Sequence, residues 1–154
     1  MAIVSLTDLK SRLGRGQCLL GLDLGAKTIG MAIADPTGTV ASPLDTVRRK
    51  KFMADANALR QIISQRGVGG VVLGLPVSMD GTEGPRCQST RSFADNLMGQ
   101  IDIDVAFWDE RLSTSAVEKF LVQEADMTRK RRAEVVDKMA AAYILQGALD
   151  SLGR

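Results

Sequence analysis

Acidic residues stand in three places where a charge is costly. Asp23 closes the apolar run "CLLGLDL", Asp109 and Glu110 close "IDIDVAFWDE", and Asp137 falls within "AEVVDKMAAAYILQGALDSL". In that last segment positions 133, 137, 140, 141, 144 and 148 share one helical face, and they hold Ala133, Asp137, Ala140, Ala141, Ile144 and Ala148. Asp137 therefore projects from a small, apolar stripe instead of a solvated side. Burying an unpartnered carboxylate costs several kcal/mol even after relaxation. Separate local explanations exist: Asp23 capping a turn, Glu110 paired with Arg111, Asp137 paired with Lys138. A shared divalent cation accounts for all three at once. The chain has no histidine and two cysteines, Cys18 and Cys87, so zinc clusters, Cys/His pairs and Ser-His-Asp triads are excluded by inventory. Oxygen-only ligands suit Mg²⁺ or Mn²⁺. Two such ions about 4 Å apart activate water and stabilise the leaving oxygen in phosphodiester hydrolysis.

Two glycine-rich near-matches fail on context. "GLDLGAKT" is one substitution from a Walker A loop, with Ala26 in place of the second glycine, but such a loop must open a helix and "TIGMAIAD" alternates as an extended strand. "GLDLG" fails the dinucleotide fingerprint for the same reason. A strand-turn-strand phosphate loop of the actin and sugar-kinase type begins with a similar hairpin. Those proteins need two such domains to enclose ATP, and 154 residues supply one.

The elements that must position the acids read as follows. "SLTDLKSRL" opens with Ser5 in capping-box-like spacing to Asp8 and carries Leu6, Leu9 and Leu13 at helical intervals, which predicts a short helix ending at "GRG". "CLLGLDL", "KTIGMAIAD" and "GTVASPL" predict three strands of an antiparallel meander, joined at "GA" and "DPTG". "FMADANALRQIISQRG" predicts a helix stopped by Gly67, and "VGGVVLGLP" a buried strand. After the loop "SMDGTEGP", a helix is expected over "RCQSTRSFADNLM", a strand over "IDIDVAFWDE" and a helix over "STSAVEKFLVQ". The polar, basic loop "EADMTRKRR" then leads into the final helix. A meander followed by strand and helix alternation gives a mixed sheet covered by helices, an α/β domain.

Composition bounds the function without choosing it. The 45% hydrophobic and 25% charged residues are ordinary for a globular domain, and 4% aromatics argue against rows of stacked rings as a base-reading device. The net charge of +2 does not by itself mark a polyanion binder. Two basic runs, "RRKK" at Arg48 to Lys51 and "RKRR" at Arg129 to Arg132, read individually as solvated faces. Neither a signal peptide nor a membrane-spanning run is present in the sequence, which sets the expectation of a cytoplasmic protein.

"LLGLDLGAKTIGMAIAD", "VVLGLPVSMDGTEGP", "FWDERLST" and "VVDKMAAAYIL" together resemble the four signature blocks of the YqgF (RuvX) family of pre-16S ribosomal RNA nucleases and Holliday-junction resolvase homologues, in order and spacing. The resemblance runs from about residue 18 to 150. It implies an RNase H-like fold with a five-stranded mixed sheet, assigned to residues 17–154, and a metal site at Asp23, Glu110 and Asp137; the N-terminal helical extension, residues 1–16, lies outside the resemblance and has no assigned role. The "DER" match favours Glu110 over Asp109, although alternation alone leaves the two open. It also implies maturation of the 5′ end of 16S ribosomal RNA with Mg²⁺ or Mn²⁺. Asp23 would bridge two ions, and Glu110 and Asp137 would each complete one shell. The loop carrying Gly74, Pro76, Asp80 and Gly81 would lie beside the site, its glycines letting backbone approach the sugar-phosphate chain. Lys27, Arg111, Arg129, Arg131 and Arg132 would hold flanking phosphates. Such contacts position a substrate without reading its sequence. A four-way DNA junction resolvase, acting as a dimer, and a catalytically silent nucleic-acid-binding factor are the competing readings; monomer and homodimer stay open.

Overall fold

The computed structural model describes residues 2–78, 80–110 and 129–152, with side chains of the last helix described from Lys138 onward. A short helix α1 (Leu6–Ser11) precedes strands β1 (Cys18–Leu24), β2 (Thr28–Ala34) and β3 (Ala41–Arg48). Helix α2 (Phe52–Arg66), β4 (Val68–Leu75), α3 (Pro85–Gln100), β5 (Asp104–Asp109) and a long helix α4 (Arg129–Leu152) follow. The strands form one five-stranded sheet in the order β3-β2-β1-β4-β5. β1, β2 and β3 pair antiparallel, whereas β1–β4 and β4–β5 pair parallel. This is the expected meander plus two parallel strands.

Strand parity sorts the core into two layers. Leu20, Leu22 and Leu24 of β1 point with Val71, Leu73 and Val105 toward Leu59 of α2 and Phe93 and Leu97 of α3. Leu19, Val72 and Ala106 point the opposite way, toward Ala141, Leu145 and Ala148 of α4 and Leu9 of α1. Sheets with helices on both faces bury both sides of their central strands, which explains why β1 reads as a continuous apolar run. On the α4 side the fit depends on Gly21, where a Cβ would lie 2.7 Å from Leu145 Cβ and 3.1 Å from the Ala141 carbonyl oxygen. The helix backbone comes down onto the sheet because that position has no side chain.

Boundaries follow local chemistry. α1 is capped by Ser5, whose Oγ accepts from the Asp8 amide at 3.1 Å. α2 ends at Gly67 in the left-handed region, φ 65°. The β2–β3 turn is organised by Asp35: its carboxylate accepts from the amides of Thr39 (2.8 Å) and Val40 (2.9 Å) and from the Thr37 hydroxyl. These bonds hold its pKa down at about 2.

Two boundaries differ from expectation. The third strand starts at Ala41 and runs on to Arg48, past the expected "GTVASPL". Pro43 is tolerated inside it because β3 is an edge strand with an unpaired side. The basic residues 129–132, expected in a loop, already belong to α4. Arg and Lys are good helix formers and no Gly or Pro interrupts them. The helix expected over "STSAVEKFLVQ" lies outside the described residues.

The N-terminal segment is joined to the sheet. Ile3 bridges Val105 in parallel, the Val4 amide donates to the Val105 carbonyl (2.9 Å), and the Val105 amide donates to the Ala2 carbonyl (3.0 Å). β5, the other edge strand, is thus covered. Leu9 is fully buried beneath α1 and anchors it.

Candidate active site

β1, β4 and β5 run parallel, so Asp23, Leu75 and Asp109 sit near the same end of the sheet, and the 76–84 loop leaves from that end. The chain reverses its direction of travel across the sheet at β1, whose neighbours are β2 on one side and β4 on the other. Open α/β sheets bind ligands outside the carboxyl ends of their strands at such a switch point.

Parity separates the two candidate acids of the fifth strand. Ala106 and Trp108 belong to the α4 side, Val105 and Phe107 to the α2–α3 side. Glu110 continues the first series and Asp109 the second. Glu110 leans over β4: a Cβ on Gly74 would meet its Oε1 at 2.7 Å and its Cγ at 3.0 Å, beside Ile144 Cδ1 at 2.6 Å. The bare backbone of Gly74 is what makes room for this carboxylate.

Asp23 belongs to the same face, two residues beyond Gly21, and is half-buried. Leu22 pairs with Leu73, so continuing the parallel register by one residue sets Asp23 beside Gly74. Gly74 in turn pairs with Trp108, so Glu110 lies two strand spacings across and two residues farther along from Asp23, about 12 Å between backbones, with Glu110 reaching back over the strand between. Both carboxylates have interaction partners.

Helix register brings the backbone of Asp137 to the same level. Ala141 and Leu145 cross Gly21, while Leu149 and Leu152 border a hollow with Cys18 and Leu19, so α4 runs antiparallel to β1. From Ala141 back to residue 137 is four helical residues, about 6 Å. From Gly21 on to Asp23 is two strand residues, about 6.6 Å. The Asp137 side chain lies outside the described set. Among the described residues no group of three His, Cys, Asp or Glu side chains forms a metal cluster. The two described acids nevertheless suit a hard cation: both are oxygen donors, on one face, around a strand position without a Cβ.

The other expected site residues distribute as follows. Gly74 lies directly beneath Glu110, and Pro76 begins the loop beyond it. Asp80 and Gly81 sit in a turn closed by hydrogen bonds from the Ser78 amide to the Thr82 carbonyl (2.9 Å) and from the Gly81 amide to the Ser78 carbonyl (2.8 Å). The Asp80 carboxylate accepts from the Thr82 amide (3.0 Å) and hydroxyl (2.7 Å). Lys27 is exposed in the β1–β2 turn at the same end of the sheet. Arg111 lies outside the described residues, as do the side chains of Arg129, Arg131 and Arg132, whose backbone is in α4.

One contributor at this end was not legible as such. The Arg49 amide donates to the Lys27 carbonyl (2.8 Å) and its guanidinium to the Gly25 carbonyl (2.7 Å), so the basic run after β3 is tied to the turn that follows Asp23. Its charge alone marks the run only as a solvated face. The available signal was topological, since the third strand of a meander finishes at the same end of the sheet as the first.

Comparison with known proteins decides the family. The family model RuvX, described as Holliday junction resolvase, matches residues 17–151. This chain belongs to the RuvX family. A RuvX-family relative from Paramagnetospirillum magneticum, provisionally named pre-16S rRNA nuclease, is 62% identical over 98% of this chain and 97% of its own length. Another from Phenylobacterium zucineum, with the same provisional name, is 60% identical over 99% of this chain and 98% of its own. Among solved structures, Fowlpox virus resolvase in complex with Holliday junction DNA superposes with a TM-score of 0.56 at 12% identity, covering 90% of this chain and all of that one (100%). RuvC of T. thermophilus, also in complex with a Holliday junction, gives 0.54 at 12% identity, covering 88% and 94%. The RuvX chain therefore has the RNase H-like fold that these resolvases share. No helix among the described residues is long and apolar enough to cross a membrane.

Proposed function

We propose that this protein is a divalent-cation-dependent endonuclease that hydrolyses phosphodiester bonds in nucleic acid, with the 5′ end of precursor 16S ribosomal RNA as its substrate and the cytoplasm as its place of action. The observation that carries the reading is the pairing of Asp23 and Glu110 on one face at the switch point, with Glu110 lying over the bare backbone of Gly74. Family membership and full-length relatives that bear the nuclease name support it.

Asp23, Glu110 and Asp137 would hold the cation, Mg²⁺ or Mn²⁺. When bound, it would supply a Lewis acid for the phosphoryl oxygens and lower the pKa of water at the attacking position. The chain's own work is positional. Packing on the α4 side fixes the three acids to two strand ends and a helix, which are more rigid supports than loops. The 76–84 turn is braced by its internal hydrogen bonds and lets backbone approach the sugar-phosphate chain at Gly74 and Gly81. Lys27, Arg111, Arg129, Arg131 and Arg132 would neutralise flanking phosphates.

The test is cleavage of 5′-extended precursor 16S RNA and of a four-way DNA junction side by side, with Mg²⁺, Mn²⁺ or EDTA. The reading requires metal-dependent RNA cutting that disappears in Asp23→Asn. Junction cutting without RNA cutting would replace it with the resolvase reading, which the family's own description favours. Binding without cutting in either arm would leave a nucleic-acid-binding factor.

A further inference from the structure

The basic run Arg48–Lys51 is not a loose solvated segment. Its backbone is fixed at successive residues: the Arg49 amide on the Lys27 carbonyl (2.8 Å), and the Lys50 amide on Asp55 Oδ1 (2.9 Å). Asp55 is 3% exposed, an acid buried in the first turn of α2 that accepts this amide. The Arg49 guanidinium bonds the Gly25 carbonyl and lies over the Phe93 ring, 5.9 Å from its centroid. With its anchors met inside the fold, the run presents the side chains of Arg48, Lys50 and Lys51 outward.

At Arg49 the run reaches an open groove of about 720 Å³ on the α2–α3 side of the sheet, whereas Arg48, paired with Thr28, falls on the α4 side with the carboxylates. Arg49 and Phe52 line one wall; Gln88, Ser89, Ser92 and Asn96 line the other, along α3. Gln88, Ser92 and Asn96 recur every four residues, so one helical face offers uncharged hydrogen-bonding groups. Phe52 is half-buried, its ring edge-on to Phe93 at 5.7 Å, and leaves a surface on which one base can stack. Glu83 also lines the groove, but its carboxylate is engaged by Arg91 at 2.7 and 3.0 Å. β3 runs in the same direction as β1 across the intervening β2, so Arg48 ends its strand at the same end of the sheet as Asp23. The groove and the carboxylates thus share one end of the sheet on opposite faces, linked by the Gly25–Lys27 turn.

We infer that Arg48, Lys50 and Lys51, with this groove, hold a single-stranded phosphodiester chain flanking the cleaved bond. The inference rests on the nuclease reading for its orientation: a strand leaving the carboxylates over the hairpin turn passes the basic run and descends along α3. Cations supply non-specific attraction to phosphates, the amide and hydroxyl side chains supply hydrogen bonds to the backbone, and Phe52 supplies a sequence-tolerant stacking face. An anionic protein surface would use the cations but not a ring recessed in a groove.

The experiment is fluorescence anisotropy of labelled single-stranded RNA and DNA oligonucleotides on the full chain in EDTA, across a salt series. The triple variant Arg48→Gln, Lys50→Gln, Lys51→Gln keeps every backbone anchor. A triple variant at Lys10, Arg15 and Arg66 to Gln, exposed residues near the opposite end of the sheet, removes the same charge. Each phosphate contact on a single strand contributes about 0.7 to the slope of log affinity against log salt. The expected result is at least a tenfold loss of affinity for both oligonucleotides and a slope shallower by about 2 in the first triple. Ser92→Glu, which places a carboxylate in the groove without touching the run, should weaken binding in the same direction. Equal affinities and slopes in the two triple variants would overturn the proposal, as would unchanged binding by Ser92→Glu. Either result could coexist with Asp23-dependent cleavage, so failure here is separable from failure of the nuclease reading.

Discussion

Adding one methyl group at Gly74 probes the candidate site without altering any charge. A Cβ there would sit 2.6 Å from Ile144 Cδ1, 2.7 Å from Glu110 Oε1 and 3.0 Å from Glu110 Cγ. Carbon atoms in contact settle near 3.5 Å, so the shortfall is about 0.9 Å against Ile144 and about 0.5 Å against the glutamate stem. Ile144 is 2% exposed in a packed core, whereas Glu110 is half-buried at a strand end, so Glu110 moves more readily. Metal ligands work within a narrow range of distance, roughly 2.0–2.6 Å to the ion. A displacement of about 1 Å in a catalytic constellation costs on the order of 10²-fold in rate. Gly74→Ala should therefore cleave about a hundred times more slowly in single-turnover assays, with a stability loss of only about 1–3 kcal/mol from overpacking. Urea denaturation measures the second quantity. A folded Gly74→Ala protein that cleaves at the full rate would refute either the position of the Glu110 carboxylate or its part in catalysis.

Further outcomes can be checked alongside. Glu110→Gln should abolish cleavage while Asp109→Asn, on the opposite side of the strand, retains most of it in the same assay. Leu9→Ala should destabilise the fold by about 2–4 kcal/mol in urea titration, because it empties a fully buried site. Gly99→Ala, where a Cβ meets nothing within 4 Å inside α3, should be neutral or stabilise by up to about 1 kcal/mol. The Asp35 carboxyl should titrate near a pH of about 2 by NMR, well below an ordinary aspartate. Since its folded pKa is lowered, the turn's stabilisation is complete above about pH 4 and is lost as pH falls through about 2. Asp35→Asn should therefore remove the low-pH titration and most of the change in stability between about pH 2 and pH 4.

Much of the sheet was legible because apolar alternation and turn chemistry act locally. β1 fell on "CLLGLDL", and Gly67 ended α2 through its left-handed conformation. The choice between Asp109 and Glu110 was not legible from alternation. Both faces of the sheet are apolar, so alternation gave two sets without saying which one met α4. Contacts between Trp108 and Gly147, and between Gly74 and Ile144, supply that missing fact, and they join residues far apart in sequence. The end of β3 was missed for a related reason. Pro43 looks like a strand terminator unless the strand is known to be an edge. The anchoring of Arg49 depends on a turn more than twenty residues upstream, which no local charge count can register.

The bridge between Ile3 and Val105 has a consequence for the order of assembly. At bacterial-type elongation rates of about 5–20 residues per second, roughly 5–20 s separate the synthesis of these two partners. Throughout that interval residues 2–4 have no strand to pair with, and β5 in turn is born with its outer edge waiting for a segment that emerged long before. The segment that covers this edge is therefore made long before the strand it covers, and it can take its place only once β5 has emerged.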